Sequence, residues 1–141
     1  MRSLYLLSFL LLVSACGARK TSSYKMGETT RADIVAEKGD PIEVQSIPVA
    51  NSEVLKYADN ESFQVKGDIV VNRFSNPSGD EKLVLWWKNR FKDCTTTSKA
   101  LPKDPKAHTP GEIELSCPAE GISVIYTEGS SAVSRVVEFE K

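Results

Sequence analysis

Three cysteines, one histidine and a pair of alternating glutamates are the side chains in this 141-residue sequence with the most chemistry to offer. Cys16 directly follows the small residues Val13-Ser14-Ala15, so its thiol would be exposed by a peptidase cutting before it. Cys94 and Cys117 lie far downstream, and His108 sits in the Pro/Lys/Thr-rich stretch between them. Two cysteines and one histidine fall short of the four ligands, or three plus water, that zinc takes, so no metal is expected and His108 reads as a solvated loop residue. Glu112 and Glu114 alternate with Ile113 and Leu115, the pattern of the solvated face of a strand rather than of an acid/base pair. No nucleophile has a patterned base beside it, and Gly27, Gly39 and Gly67 each already have a turn or cap role rather than a phosphate-binding one. The expectation is a protein that is not an enzyme, with no catalytic residue and no cofactor.

The setting of Cys16 decides where the rest of the chain lives. Arg2 supplies a basic start, and Leu4 to Val13 is an apolar run too short to span a bilayer, the composition of a processing signal. With Cys16 after the small residues, the stretch resembles the lipobox of bacterial lipoproteins. That resemblance implies removal of residues 1–15 and lipidation of Cys16 as the new N-terminus, with a diacylglyceryl thioether and an amide-linked chain. At ~0.8 kcal/mol per buried methylene, two or more chains make a stable membrane anchor. Gly17 after the cysteine, in place of Asp, fits sorting to an outer membrane. Residues 16–24 read as a lipidated tether, in which the eight small and polar residues from Gly17 to Tyr24 span at most about 28 Å.

Export also pairs the remaining thiols. Cys94 and Cys117 are an even pair in an oxidising compartment and are expected to form a disulfide. Residues 1–15 carry one charge, Arg2, so the processed chain holds 17 Lys+Arg against 19 Asp+Glu. That near-balance argues against nucleic acid and against a polybasic membrane patch.

Residues 25–141 are the right size for one domain. Thr30, with Asp33 three residues on, begins a helix that Gly39 and Pro41 end, with Ile34 and Val35 on its apolar stripe. Residues 41–52, containing Pro48, read as extended loop. Glu53 to Tyr57, Ser62 to Lys66 and Asp68 to Phe74 are strands separated by turn residues. Ser78 or Asp80 can cap a second helix, Glu81 to Cys94, whose core face holds Leu83, Val84, Trp87, Phe91 and Cys94. The run Lys82 to Trp87 is apolar enough to read as a strand too. A polar loop, Thr95 to Gly111, precedes three more strands at Glu112 to Cys117, Ile122 to Thr127 and Val133 to Glu140. The predicted fold class is α+β, short helices on an antiparallel sheet. It divides into two weakly repeated helix-plus-three-strand halves, about 25–76 and 77–141, in which Glu53 matches Glu112 and Phe63 matches Ile122.

The spacing Thr30-x3-Ile34-x4-Gly39-Asp40-Pro41, followed by Glu53-Val54-Leu55-Lys56-Tyr57 and the hairpin Phe63 to Phe74, resembles the SmpA/OmlA group of small outer-membrane lipoproteins, the BamE family of the β-barrel assembly machine. Gly27 lies three residues before Thr30 where that family has two, and Lys38 stands where it has leucine. The resemblance implies helices against a three-stranded antiparallel sheet and an accessory role in membrane assembly. The shape is shared with tandem-repeat β-lactamase-inhibitor proteins, to which a duplicated chain is similar.

Leu85 and Trp86 fall off the core face of the second helix, and large apolar residues at a surface are typical interface anchors. They are the candidate partner-binding residues; the alternative is that the strands or loop of the second half cover them. The expected function is a lipid-anchored, non-catalytic envelope protein that binds or stabilises another envelope protein. The alternatives are a periplasmic inhibitor or sensor of a soluble enzyme and a structural envelope lipoprotein.

Overall fold

A computed structural model describes residues 23–99 and 111–141; Cys16, His108 and the tether up to residue 22 lie outside them. The chain runs α1 (Arg31–Lys38), β1 (Glu43–Ile47), β2 (Ser52–Lys56), β3 (Ser62–Lys66), β4 (Ile69–Ser75), α2 (Val84–Arg90), β5 (Thr95–Lys99), β6 (Glu112–Cys117), β7 (Ile122–Thr127) and β8 (Val133–Phe139). All eight strands form one antiparallel sheet in the order β1-β2-β3-β4-β8-β7-β6-β5. The fold class is α+β, with two short helices and an antiparallel sheet among the described residues.

Local chemistry writes the ends of α1. Thr30 Oγ1 accepts from the Asp33 N–H while Asp33 Oδ2 accepts from the Thr30 N–H, a reciprocal capping box, and Gly39 leaves the helix at φ 82°. Eight residues are too few for a stable isolated helix, so tertiary bonds must hold it. They do: the Arg31 N–H donates to Asp68 O and the Val70 N–H to Thr29 O, stitching the helix start to β4. The start of α2 is stitched to β8 in the same way, with the Val84 N–H donating to Ser131 O.

Residues paired across neighbouring strands point to the same face. One row therefore crosses seven strands as Val44, Leu55, Phe63, Arg73, Glu138, Ile122 and Cys117. Both helices pack on this face. Ile34 of α1 joins Leu55, Phe63, Val65 and Val70, while Val84 and Trp87 of α2 join Leu115, Cys117, Val124 and Val136. The opposite face carries Val54, Gln64, Asn72, Phe74, Ile125, Val137 and Ser123 by the same registers, and none of the described helices packs there.

Several expectations are corrected. Residues 41–52 are not a loop: β1 occupies five of them and Pro48 opens a one-turn 3-10 segment linking β1 to β2. The stretch from Thr95 is likewise strand β5 before it is anything else. Each helix thus precedes four strands rather than three. The second helix is shorter than Glu81 to Cys94, because residues Gly79–Lys82 are 3-10 and Phe91 is already extended. Its N-cap is Leu83, with no side-chain cap from Ser78 or Asp80. Tyr24, expected to end the tether, is docked edge-on against Phe63 at 5.1 Å. Tyr57 and Tyr126 are buried.

Candidate interaction surface

The sequence of α2, Val-Leu-Trp-Trp-Lys-Asn-Arg, is too short and too apolar to bury all it carries. Val84 and Trp87 point into the core, and Trp87 is fixed there by its ring N–H donating to Glu81 O at 2.7 Å. Leu85 is left 66% exposed and Leu83 51% exposed. Leu83 was expected on the core face; as N-cap it is extended backbone, and the 100° periodicity that assigned it does not apply there. Trp86 is half-buried, edge-on to Trp87 at 5.0 Å, with the Arg90 guanidinium 5.2 Å over its ring. Exposed Leu83 and Leu85 thus lie at the start of the same short helix that carries the Trp86–Arg90 stack. An aromatic ring with an arginine stacked on it is a preorganised contact unit, because neither side chain need be ordered again on binding.

The disulfide Cys94–Cys117 belongs to the core cluster into which Trp87 packs. The expected geometry, a helix carrying Cys94 over the sheet, is replaced by a simpler one. Thr95 pairs with Ser116 at the outer edge of the sheet, so Cys94, just before β5, stands opposite Cys117 with Cα atoms 4.3 Å apart. The bond fixes the exit of α2 to β6.

A second polar constellation sits at the seam where β4 meets β8. Arg73 donates to Glu61 Oε1 at 2.5 Å and to Glu138 Oε1 at 3.1 Å, and Lys38 joins Glu61 and Asp59. Burial acts to lower the Arg73 and Lys38 pKa values, but the carboxylates outweigh it and both are raised. Tyr24 lies over the guanidinium at 5.5 Å, and burial together with a hydrogen bond to Glu37 pushes its phenol up. Beside the seam, a cavity of about 620 Å³ opens between Met26, Phe91, Ile122 and Phe139, with Lys25 and Glu140 at its rim. Sequence reasoning missed this network. Its signal was a charge at a core-facing strand position, Arg73 in register with Phe63 and Glu138 two residues after Val136.

Chemically, these groups pair with one another. Glu112 and Glu114 share the sheet face away from the helices, as their alternation predicts, but only Glu112 is exposed and Glu114 is half-buried. Among the described residues no three His, Cys, Asp or Glu side chains converge as metal ligands, and no helix is long and apolar enough to cross a membrane. Comparison of the chain with family models, curated proteins and solved structures finds no match.

Proposed function

We propose that this is a non-catalytic, lipid-anchored envelope protein, held by acyl chains on Cys16 to a membrane facing the periplasm, that binds another envelope protein through α2. The observation that carries the proposal is the exposure of Leu83 and Leu85 beside the Trp86–Arg90 stack. Fully burying a leucine is worth about 1.5–3 kcal/mol, so two leucines at one surface are a substantial unspent driving force for association. The resemblance of residues 24–75 to the BamE family agrees with an accessory role at an outer membrane, and the lipobox agrees with it independently.

We also read the halves as two copies of one helix-plus-strands unit. In support, the strand order is palindromic, and both helix starts donate to the residue two before a buried valine, Val70 or Val133. Each terminal hairpin also carries a register shift at the same place, after Gln64 and after Ile125. The pairing equates Leu55–Phe63 with Leu115–Val124, one and two residues further along than the match of Glu53 with Glu112 and Phe63 with Ile122.

A soluble-enzyme inhibitor is the second reading, favoured by the sheet face that no described helix covers, where half-buried Phe74, Val54, Ile125 and Val137 stand among Gln64, Asn72 and Ser123. Affinity capture of the full chain from cross-linked envelopes separates the readings. Barrel-assembly components recovered with the wild type, and lost with both Leu85→Ala and Cys16→Ala, support the membrane accessory. A soluble enzyme retained by Leu85→Ala supports the inhibitor, and no specific partner leaves a structural lipoprotein.

A further inference from the structure

The two outer strands of the sheet are built differently. Outer strands present alternate N–H and C=O groups with no strand beside them, and natural sheets blunt them with lysine, proline or bulges. β5, Thr-Thr-Thr-Ser-Lys, is polar throughout. β1, Glu-Val-Gln-Ser-Ile, has no lysine, pairs with β2 without a register shift, and is exposed from Glu43 to Ser46. Apolar side chains gather along it, with Ile42 71%, Val44 44% and Val49 102% exposed. Val44 is in the same cross-strand row as the fully buried Leu55 and Phe63, so the apolar layer under α1 runs out to the edge, where no described strand or helix covers it.

We propose that two copies of this chain join edge to edge through β1, antiparallel about a two-fold axis at Val44, making one continuous sheet. The sequence of β1 is complementary to itself in that register and not in the neighbouring one. With Val44 opposite Val44 of the other copy, Ile42 stands across from Ser46 and diagonal to Val44 of the other copy, so the valine pair at the axis is flanked on the helix-bearing face by one Ile42 from each chain. On the opposite face each Glu43 stands across from Gln45 of the other copy, a carboxylate facing a carboxamide donor. Lys56 holds Glu43 at 2.9 Å from the adjacent strand, so the two carboxylates enter the interface already neutralised. Centring the axis on Gln45 instead sets Glu43 against Ile47 and leaves Val44 opposite a serine. Pro41 and Pro48 bracket the strand and limit the new ladder to the residues between them. A two-fold axis makes the contact closed, so pairing stops at a dimer and does not propagate.

Cysteine cross-linking reads both the partner and the register. Val44→Cys and Gln45→Cys are made singly in the full chain in its native envelope, with Leu85→Cys and the unsubstituted chain as baselines. Each is oxidised and run without reductant. All three positions are exposed or at the edge, so the substitutions leave the fold intact. Directly opposite residues have Cα atoms about 4.5–5.5 Å apart, within disulfide reach, whereas the Gln45 positions are offset by two residues and fall beyond about 7 Å. Val44→Cys is expected to give about tenfold more covalent dimer than Gln45→Cys or either baseline, and Ile42→Lys added to it returns the yield to baseline. Equal yields at every position, more dimer from Gln45→Cys, or a Val44→Cys adduct of some mass other than twice the chain would each overturn the proposal.

Discussion

Replacing Arg73 by methionine tests whether the seam between the two four-stranded meanders is held by charge. Arg73 is the cation between Glu61 and Glu138, whose side chains are 8% and 11% exposed. Methionine keeps most of the stem that packs beneath Tyr24 and removes the charge. Lys38 remains on Glu61, while Glu138, 11% exposed, loses the guanidinium contact at 3.1 Å. Breaking one side of such a pair costs about 3–5 kcal/mol, and because one of the two carboxylates keeps a cation the loss expected here is about 3 kcal/mol. For a domain of this size that is a fall in Tm of roughly 10–15 °C. Denaturant unfolding of Arg73→Met, Glu138→Gln and the double variant, with the disulfide intact, isolates the pair. The double variant should recover about 1–2 kcal/mol relative to the sum of the single losses. A loss below about 1 kcal/mol, the value of an ordinary surface pair, or strictly additive variants would refute the idea that the seam is electrostatic.

Cys94→Ser should lower stability by about 3 kcal/mol under oxidising conditions, since the bond closes a loop at a sequence separation of 23; in reductant the variant and wild type should melt together. Thr30→Ala removes half of the capping box and should cost about 1 kcal/mol in chemical unfolding. Asp33, held below the usual carboxylate range by the Thr30 backbone N–H and then by its hydroxyl, contributes stability that is present above the unfolded aspartate pKa of about 3.9 and lost as pH falls through the lower folded value. Asp33→Asn should therefore flatten the acid limb of a stability–pH curve and leave its alkaline side unchanged.

How much of this was legible in the sequence depends on how local each signal is. The ends of α1 were, because Thr30, Asp33 and Gly39 act within one turn of themselves. So were β3, β6 and β7, whose apolar residues alternate toward the helix face. β1 and β5 were not, for a physical reason: outer strands exposed from Glu43 to Ser46 and from Thr95 to Ser98 have no buried face to impose alternation, and Glu-Val-Gln-Ser-Ile and Thr-Thr-Thr-Ser-Lys therefore read as loop. The length of α2 was overestimated because Phe91 and Cys94 keep helical periodicity, while the chain turns extended at Phe91 to bring Cys94 beside Cys117. Arg73 and Glu138 are 65 residues apart, and the pairing of β4 with β8 that unites them has no local signature. At the candidate surface, the exposure of Leu85 follows from periodicity, whereas Trp86, off the core face by the same periodicity, is half-buried against the core. Arg90 over the Trp86 ring needed coordinates.

The most direct test of partner binding through α2 is to place a photo-activated cross-linking amino acid at Leu85 of the lipidated chain in intact cells, and separately at Phe74 on the sheet face that carries no described helix. Binding through α2 predicts one discrete adduct with an envelope protein from position 85 and none from position 74. An adduct from position 74 with none from 85 would contradict it and move the interface to the sheet.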